Sequence, residues 1–220
     1  MSYLYLAPTW FVHISVFLEI IFALVCTAVA VFSFRVYHLT EQREHKLFGI
    51  AFACFAASYF IWVFLNIFFI SEISKGVDAL VVGKLTLLNL FGVYSHIFFF
   101  SIGLTSLIYT VLKVKNFRIY CLILTLMLFG IILSENMATS FYLLSSIFLL
   151  LISVYYAEEY GRKRSSRKLM ILTAFLFLFL GYLDLTFSSR NYIHYIIGHL
   201  FELIAYVIIL ISLVIAVKKT

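Results

Sequence analysis

Along this chain long apolar blocks alternate with short polar or charged interruptions, and inside a block the residues are apolar on every side of a helix rather than in one stripe. A helix that crosses a hydrocarbon core of about 30 Å needs about 20 predominantly apolar residues. Seven blocks meet or approach that length: Thr9 to Val36, Leu47 to Ile70, Leu85 to Leu112, Phe117 to Leu133, Ala138 to Ala157, Leu169 to Phe187 and Tyr192 to Val217. The fourth is the shortest. Connections between blocks are short except for the one from Ser71 to Lys84. The pattern predicts an all-α polytopic membrane protein, one domain over residues 1–220, built as a bundle of seven transmembrane helices with no room for a soluble catalytic domain.

Composition agrees: 65% hydrophobic residues, a mean hydropathy of +1.11 and only 12% charged residues would leave too much apolar surface on a soluble chain of 220 residues. The charges that remain set an orientation. Arg35, Arg43, Lys46, Lys113, Lys115, Arg118, Arg162, Lys163, Arg164, Arg167, Lys168, Lys218 and Lys219 gather at one set of helix ends, against Lys75, Lys84 and Arg190 at the other. Thirteen against three is a positive-inside bias that predicts an outside amino terminus and a cytoplasmic carboxyl terminus, in the cell membrane. The net charge of +6 is therefore read as anchoring to anionic headgroups and not as a nucleic-acid surface. The densest run, "GRKRSSRK" from Gly161 to Lys168, also offers a face to a cytoplasmic or membrane signalling partner.

The opening "MSYLYLAPTWF" has no basic residue ahead of its apolar run and no small-residue cleavage pattern, so the first helix is expected to be retained. Tyr3, Tyr5, Trp10 and Phe11 read as an outer aromatic belt. Cys26, Cys54 and Cys121 fall in separate helices without CxxC spacing, which sets neither a disulfide framework nor a metal motif. Small residues in "AFACFAAS", Ala51 to Ser58, mark the second helix as a packing core. The aromatic runs "HIFFFSIGL" and "FLFLFLGYLDLTF" suit lipid contact and packing, or a pocket for a flat ligand.

Ionisable side chains at membrane depth are costly and are the candidate functional residues. With a rise of about 1.5 Å per residue, Glu19 lies about 15 Å along the first span, His96 roughly 17 Å along the third and Glu202 about 15 Å along the seventh, all from the same side. His199 and Glu202 are three apart, on one face of their helix. His194 sits on another face near the outer surface, where water is expected, and Asp184 lies within a turn of that surface. Glu19, His96, His199 and Glu202 are thus the candidate proton or ligand site. The plainest role for them is a hydrogen-bonded network that fixes helix packing. A second is a sensory pocket whose charge changes with a proton or small ligand, histidine being the group that titrates near neutral pH. A third is an intramembrane metal-dependent hydrolase, with His96, His199 and Glu202 as ligands and Glu19 as general base. No HExxH motif supports that third role.

Known seven-helix families narrow the choice. Microbial rhodopsins need a lysine in the middle of the last helix; here none occurs before Lys218, and no retinal is expected. The zinc hydrolases that include ceramidases carry an HxxxH pair on the last helix, whereas His194 and His199 are five apart. Transporters with moving, proline-broken helices are not suggested by a chain whose one proline is Pro8. The last helix, "YIIGHLFELIAYVIILISL", resembles the multi-helix membrane sensor regions called MASE domains in prokaryotic signalling proteins. The resemblance implies a sensor, here a stand-alone one because the sequence stops at "VKKT" where such proteins continue into an output domain. The expectation is a non-enzymatic membrane sensor or receptor-like protein, with an assembly scaffold as the remaining alternative.

Overall fold

A computed structural model describes the backbone of residues 9–74, 79–114, 116–188 and 191–217, and the side chains of residues 14–68, 87–114, 116–188 and 191–215. Seven helices account for almost all of it: α1 (Thr9–Thr40), α2 (Arg43–Ser74), α3 (Ala79–Val111), α4 (Phe117–Ile132), α5 (Met137–Arg162), α6 (Ser166–Leu185) and α7 (Tyr192–Val217). No strand occurs among the described residues.

Each expected block is a helix, and several helices outrun their apolar core. α1 continues to Thr40, and α2 already begins at Arg43 because the Arg, Glu and Lys of its first turn are good helix formers that carry the helix beyond the membrane span. The long connection expected from Ser71 to Lys84 is largely helical, with α2 running to Ser74 and α3 starting at Ala79. Tight reversals use particular residues. Glu41 and Lys113 adopt left-handed backbone at φ 54° and 53° just past α1 and α3. Asn116 and Asn136 cap α4 and α5, their side-chain oxygens accepting from the backbone N–H of Arg118 and Thr139. Tyr3 and Tyr5 of the expected aromatic belt, and the side chains of Trp10 and Phe11, lie outside the described residues.

Six of the helices are long and apolar enough to cross a bilayer. α4, with 16 residues, is about 24 Å long and falls short of the roughly 30 Å core. Its place in the bundle differs too. α1 packs on α2, α2 on α3, α3 on α5, α5 on α6, α6 on α7, and α7 back on α1, closing a six-helix ring. α4 lies outside that ring against α3 and α5, burying only Met127 and Ile131. Around the outside, Phe17, Phe64, Leu87, Leu122 and Leu133 are more than half exposed. So large an apolar exterior is stable only in lipid, and the chain is a multi-pass integral membrane protein.

Inside the ring Phe22, Phe52, Phe55, Phe100, Leu104, Phe175 and Tyr206 form one continuous core. Buried hydroxyls follow the rule for hydrocarbon surroundings, where a polar group is satisfied within the protein. Ser33, Ser153 and Thr186 donate back to the carbonyls of Val29, Leu149 and Tyr182, one turn earlier. Two crossings depend on the missing side chain of glycine. A Cβ on Gly103 would stand 2.9 Å from the Ala51 carbonyl oxygen, which places the expected small-residue segment of α2 against α3. A Cβ on Gly181 would stand 3.0 Å from the Gly198 carbonyl oxygen, and one on Gly198 would stand 3.1 Å from that of Gly181. The second crossing clamps α6 to α7 one turn before Glu202.

Candidate functional site

The clamp at Gly198 orients the face of α7 that carries His199, Glu202 and Tyr206 into the ring. His199 and Glu202, three residues apart, meet along that face as helical spacing requires: Nδ1 of His199 lies 2.8 Å from Oε2 of Glu202 and donates to it. Both side chains are almost fully removed from the surface, at 9% and 2% exposure. The other carboxylate oxygen of Glu202 accepts from the Tyr59 hydroxyl of α2 at 3.4 Å, and the Tyr206 hydroxyl donates to Tyr59 at 3.1 Å. Glu202 therefore has a partner on each oxygen, one from its own helix and one from across the ring.

Among the described residues α2 and α7 have no close backbone approach. Tyr59 bridges the gap, held between Phe22 of α1, edge-on at 5.6 Å, and Tyr206, edge-on at 5.9 Å. The link between these two helices is thus made of side chains, and its polar part is a hydroxyl on a carboxylate.

Glu19 of α1 joins the same buried region. It is 2% exposed, accepts from the Asn66 amide of α2 at 3.1 Å, and lies close enough to His199 and Glu202 for their charges to act on one another. Tyr195 stands edge-on to the His199 ring at 4.5 Å, one turn nearer the end of the bundle. Three of the four residues named from sequence, Glu19, His199 and Glu202, are therefore gathered in one cluster between α1, α2 and α7.

His96 has a different partner. Its Nδ1 is 2.7 Å from the Ser58 hydroxyl, which itself donates to the His96 backbone carbonyl at 3.0 Å. This reciprocal pair staples α3 to α2, and the imidazole lies among the rings of Trp62, Phe100 and Phe141. His96 borders the cluster from α3 and spends its hydrogen bonds on α2. Among the described residues no group of three or more His, Cys, Asp or Glu side chains is placed to hold a metal ion.

His194 is partly exposed, as expected near the surface, and it also has a protein partner. Its Nδ1 lies 2.8 Å from Oδ1 of Asp184, joining the first turn of α7 to the last turn of α6 at the partly exposed edge of the bundle. Sequence reasoning also passed over Tyr59, Asn66, Tyr206 and Ser58. Nothing distinguishes them from the other tyrosines and polar residues of a tyrosine-rich chain until the helices are placed side by side.

Chemically the cluster holds two carboxylates and one imidazole in a low-dielectric interior, each hydrogen-bonded. Carboxyl and imidazole groups are the side chains that can take up or release a proton, and one of the carboxylates also carries the hydrogen bond from α2. The chain matches no protein-family profile, no curated protein and no solved structure.

Proposed function

We propose that the chain is a membrane sensor or receptor-like protein of the cell membrane whose input is the protonation or ligand occupancy of the Glu19, His199 and Glu202 cluster, with His96 at its border. The observation that supports this reading is the Tyr59 to Glu202 contact. It joins two helices that lack close backbone approach, so a change of charge on Glu202 alters the tie between them. A ligand or proton shifts a conformational equilibrium only when it interacts differently with the two states. A hydroxyl bonded to an ionised carboxylate is stronger than one bonded to a neutral acid, which supplies that difference.

In this reading the amino terminus is outside, following the positive-inside bias, and the cluster is reached from the outer side. The output passes to the cytoplasmic helix ends, where the basic segment Gly161 to Lys168 meets a signalling partner. The likeness of α7 to MASE-type sensor regions points the same way as a fold-level analogy.

The test uses the full chain in lipid nanodiscs, with Cys26, Cys54 and Cys121 replaced and spin labels at Phe64 of α2 and Leu200 of α7, both exposed on the bundle exterior. The expected result is an interlabel distance distribution that changes between about pH 5 and pH 8, the range in which histidine titrates. Glu202→Gln abolishes the change. A distribution that is constant over that range in the unmodified cluster overturns the proton-input reading in favour of a purely structural network, and one that shifts equally in Glu202→Gln overturns the assignment of the input to Glu202.

A further inference from the structure

At the opposite end of the ring, where α1 turns into α2, an open cleft of about 390 Å3 is lined by Tyr37, Glu41, Arg43, Lys46, Leu47 and Ile50. Its volume falls in the range of small-ligand sites, roughly 300 to 1,000 Å3. The four α2 residues are spaced i, i+3, i+4 and i+7, which puts them on one stripe of the helix. The first two are cationic and the last two apolar, so the stripe passes from charge to hydrocarbon within about 10 Å of helix.

Both cations are held in place without being neutralised. Arg43 donates to the hydroxyl of Tyr109, a buried residue of α3, at 2.8 Å, with its guanidinium 5.1 Å from the centre of the same ring. Lys46 Nζ stands 5.6 Å from the centre of the Tyr37 ring of α1. Among the described residues no carboxylate lies within ion-pair distance of either. Glu41, the one acid of the lining, leaves the cleft with a formal charge of +1, from two cations and one anion. One guanidinium N–H is engaged by Tyr109, and among the described residues the rest of the fork has no hydrogen-bond acceptor and can receive an oxyanion.

We propose that this cleft binds one anionic phospholipid, with its phosphate between Arg43 and Lys46 and the start of an acyl chain along Leu47 and Ile50. The single net positive charge matches a singly charged phosphodiester, and the apolar pair continues the stripe toward the lipid-facing surface. A free anion would use the two cations and gain nothing from Leu47 and Ile50. The cleft is independent of the Glu19, His199 and Glu202 cluster: Tyr37 is 18 residues beyond Glu19 on α1, about 27 Å along the helix.

The experiment is native mass spectrometry of the full chain, delipidated in detergent and titrated with dioleoylphosphatidylglycerol or dioleoylphosphatidylcholine. One phosphatidylglycerol per chain is expected to bind in preference to phosphatidylcholine. The pair Arg43→Gln with Lys46→Gln is expected to weaken that binding roughly 30-fold, given the usual contribution of a basic residue beside an anionic headgroup. Lys46→Gln alone, at an exposed position whose loss does not threaten the fold, should give a smaller loss in the same direction. Arg164→Gln with Arg167→Gln, in the denser basic run that does not line the cleft, should leave binding unchanged. Equal loss in that control pair would show diffuse charge attraction and overturn the site. So would unchanged binding in Lys46→Gln and the double variant, or displacement of the lipid by inorganic phosphate, which would make the cleft a free-anion site.

Discussion

Two polar districts share the interior of the ring, and they are satisfied in different ways. Between α1, α2 and α7, Glu19, His199 and Glu202 are buried with hydrogen-bond partners on the carboxylates. On α3 and α5, which pack on one another, Ser101, Thr105 and Ser145 are fully buried and their hydroxyls have no protein partner among the described residues. The difference reflects cost. Leaving a charge unpaired in a low-dielectric interior costs several kcal/mol, about 3 to 5 when one member of a buried pair is deleted. An unpaired hydroxyl costs about 1 to 3 kcal/mol, and a small side chain returns part of that by letting helices approach closely. The charged district is therefore where each carboxylate must have a definite partner, and the hydroxyl district is where a missing partner is tolerated.

The comparison breaks most directly at Glu202. Glu202→Ala leaves His199 and Tyr59 without their acceptor and should destabilise the protein by about 3 to 5 kcal/mol, read as a lower thermal midpoint in detergent. Gly198→Ala comes next. Its Cβ would stand 2.5 Å from Cγ of Leu185 and 3.1 Å from the Gly181 carbonyl oxygen, so α6 and α7 must separate. Overpacking of this kind costs about 1 to 3 kcal/mol. Because the same crossing aims α7, the variant should also weaken the pH dependence of the distance between labelled α2 and α7.

Tyr59→Phe sharpens the contrast with less disruption. It keeps the ring contacts with Phe22 and Tyr206 and removes the hydroxyl between Glu202 and Tyr206. A loss of about 0.5 to 1.5 kcal/mol is expected, with an interlabel distance that no longer follows pH. The smallest effect belongs to the hydroxyl district. Ser101→Ala and Ser145→Ala should lie within about 0.5 kcal/mol of the parent, on the stable side if anything, since each deletes a buried group that has no partner. A drop of several kcal/mol in either would show that these hydroxyls carry a hydrogen bond as important as those of the charged district, and the contrast would fail.

The helices were legible from sequence because their signal is local. Twenty apolar residues declare a span whatever they pack against, and the Asn116 and Asn136 caps act on N–H groups two or three residues away. The pair His199 and Glu202 was legible for the same reason, both residues lying on one turn. Glu19 was visible as a misplaced charge but without its partner. Tyr59 and Asn66 were not visible at all, because a tyrosine or asparagine in an apolar helix carries no mark of which helix it will meet.

The sequence by itself determined that the chain is a helical membrane protein, where its helices lie, and that charges are carried into its interior. Composition and helical repeat are properties of single segments, and burial in lipid demands nothing further to make them fold. Tertiary structure decided that six helices close a ring with α4 outside, that His96 turns to Ser58, that His194 pairs with Asp184 and that Tyr59 spans from α2 to Glu202. Those outcomes depend on which residues meet across helix interfaces, where glycine at Gly103, Gly181 and Gly198 sets the distance of approach and hydrogen bonding selects the partner.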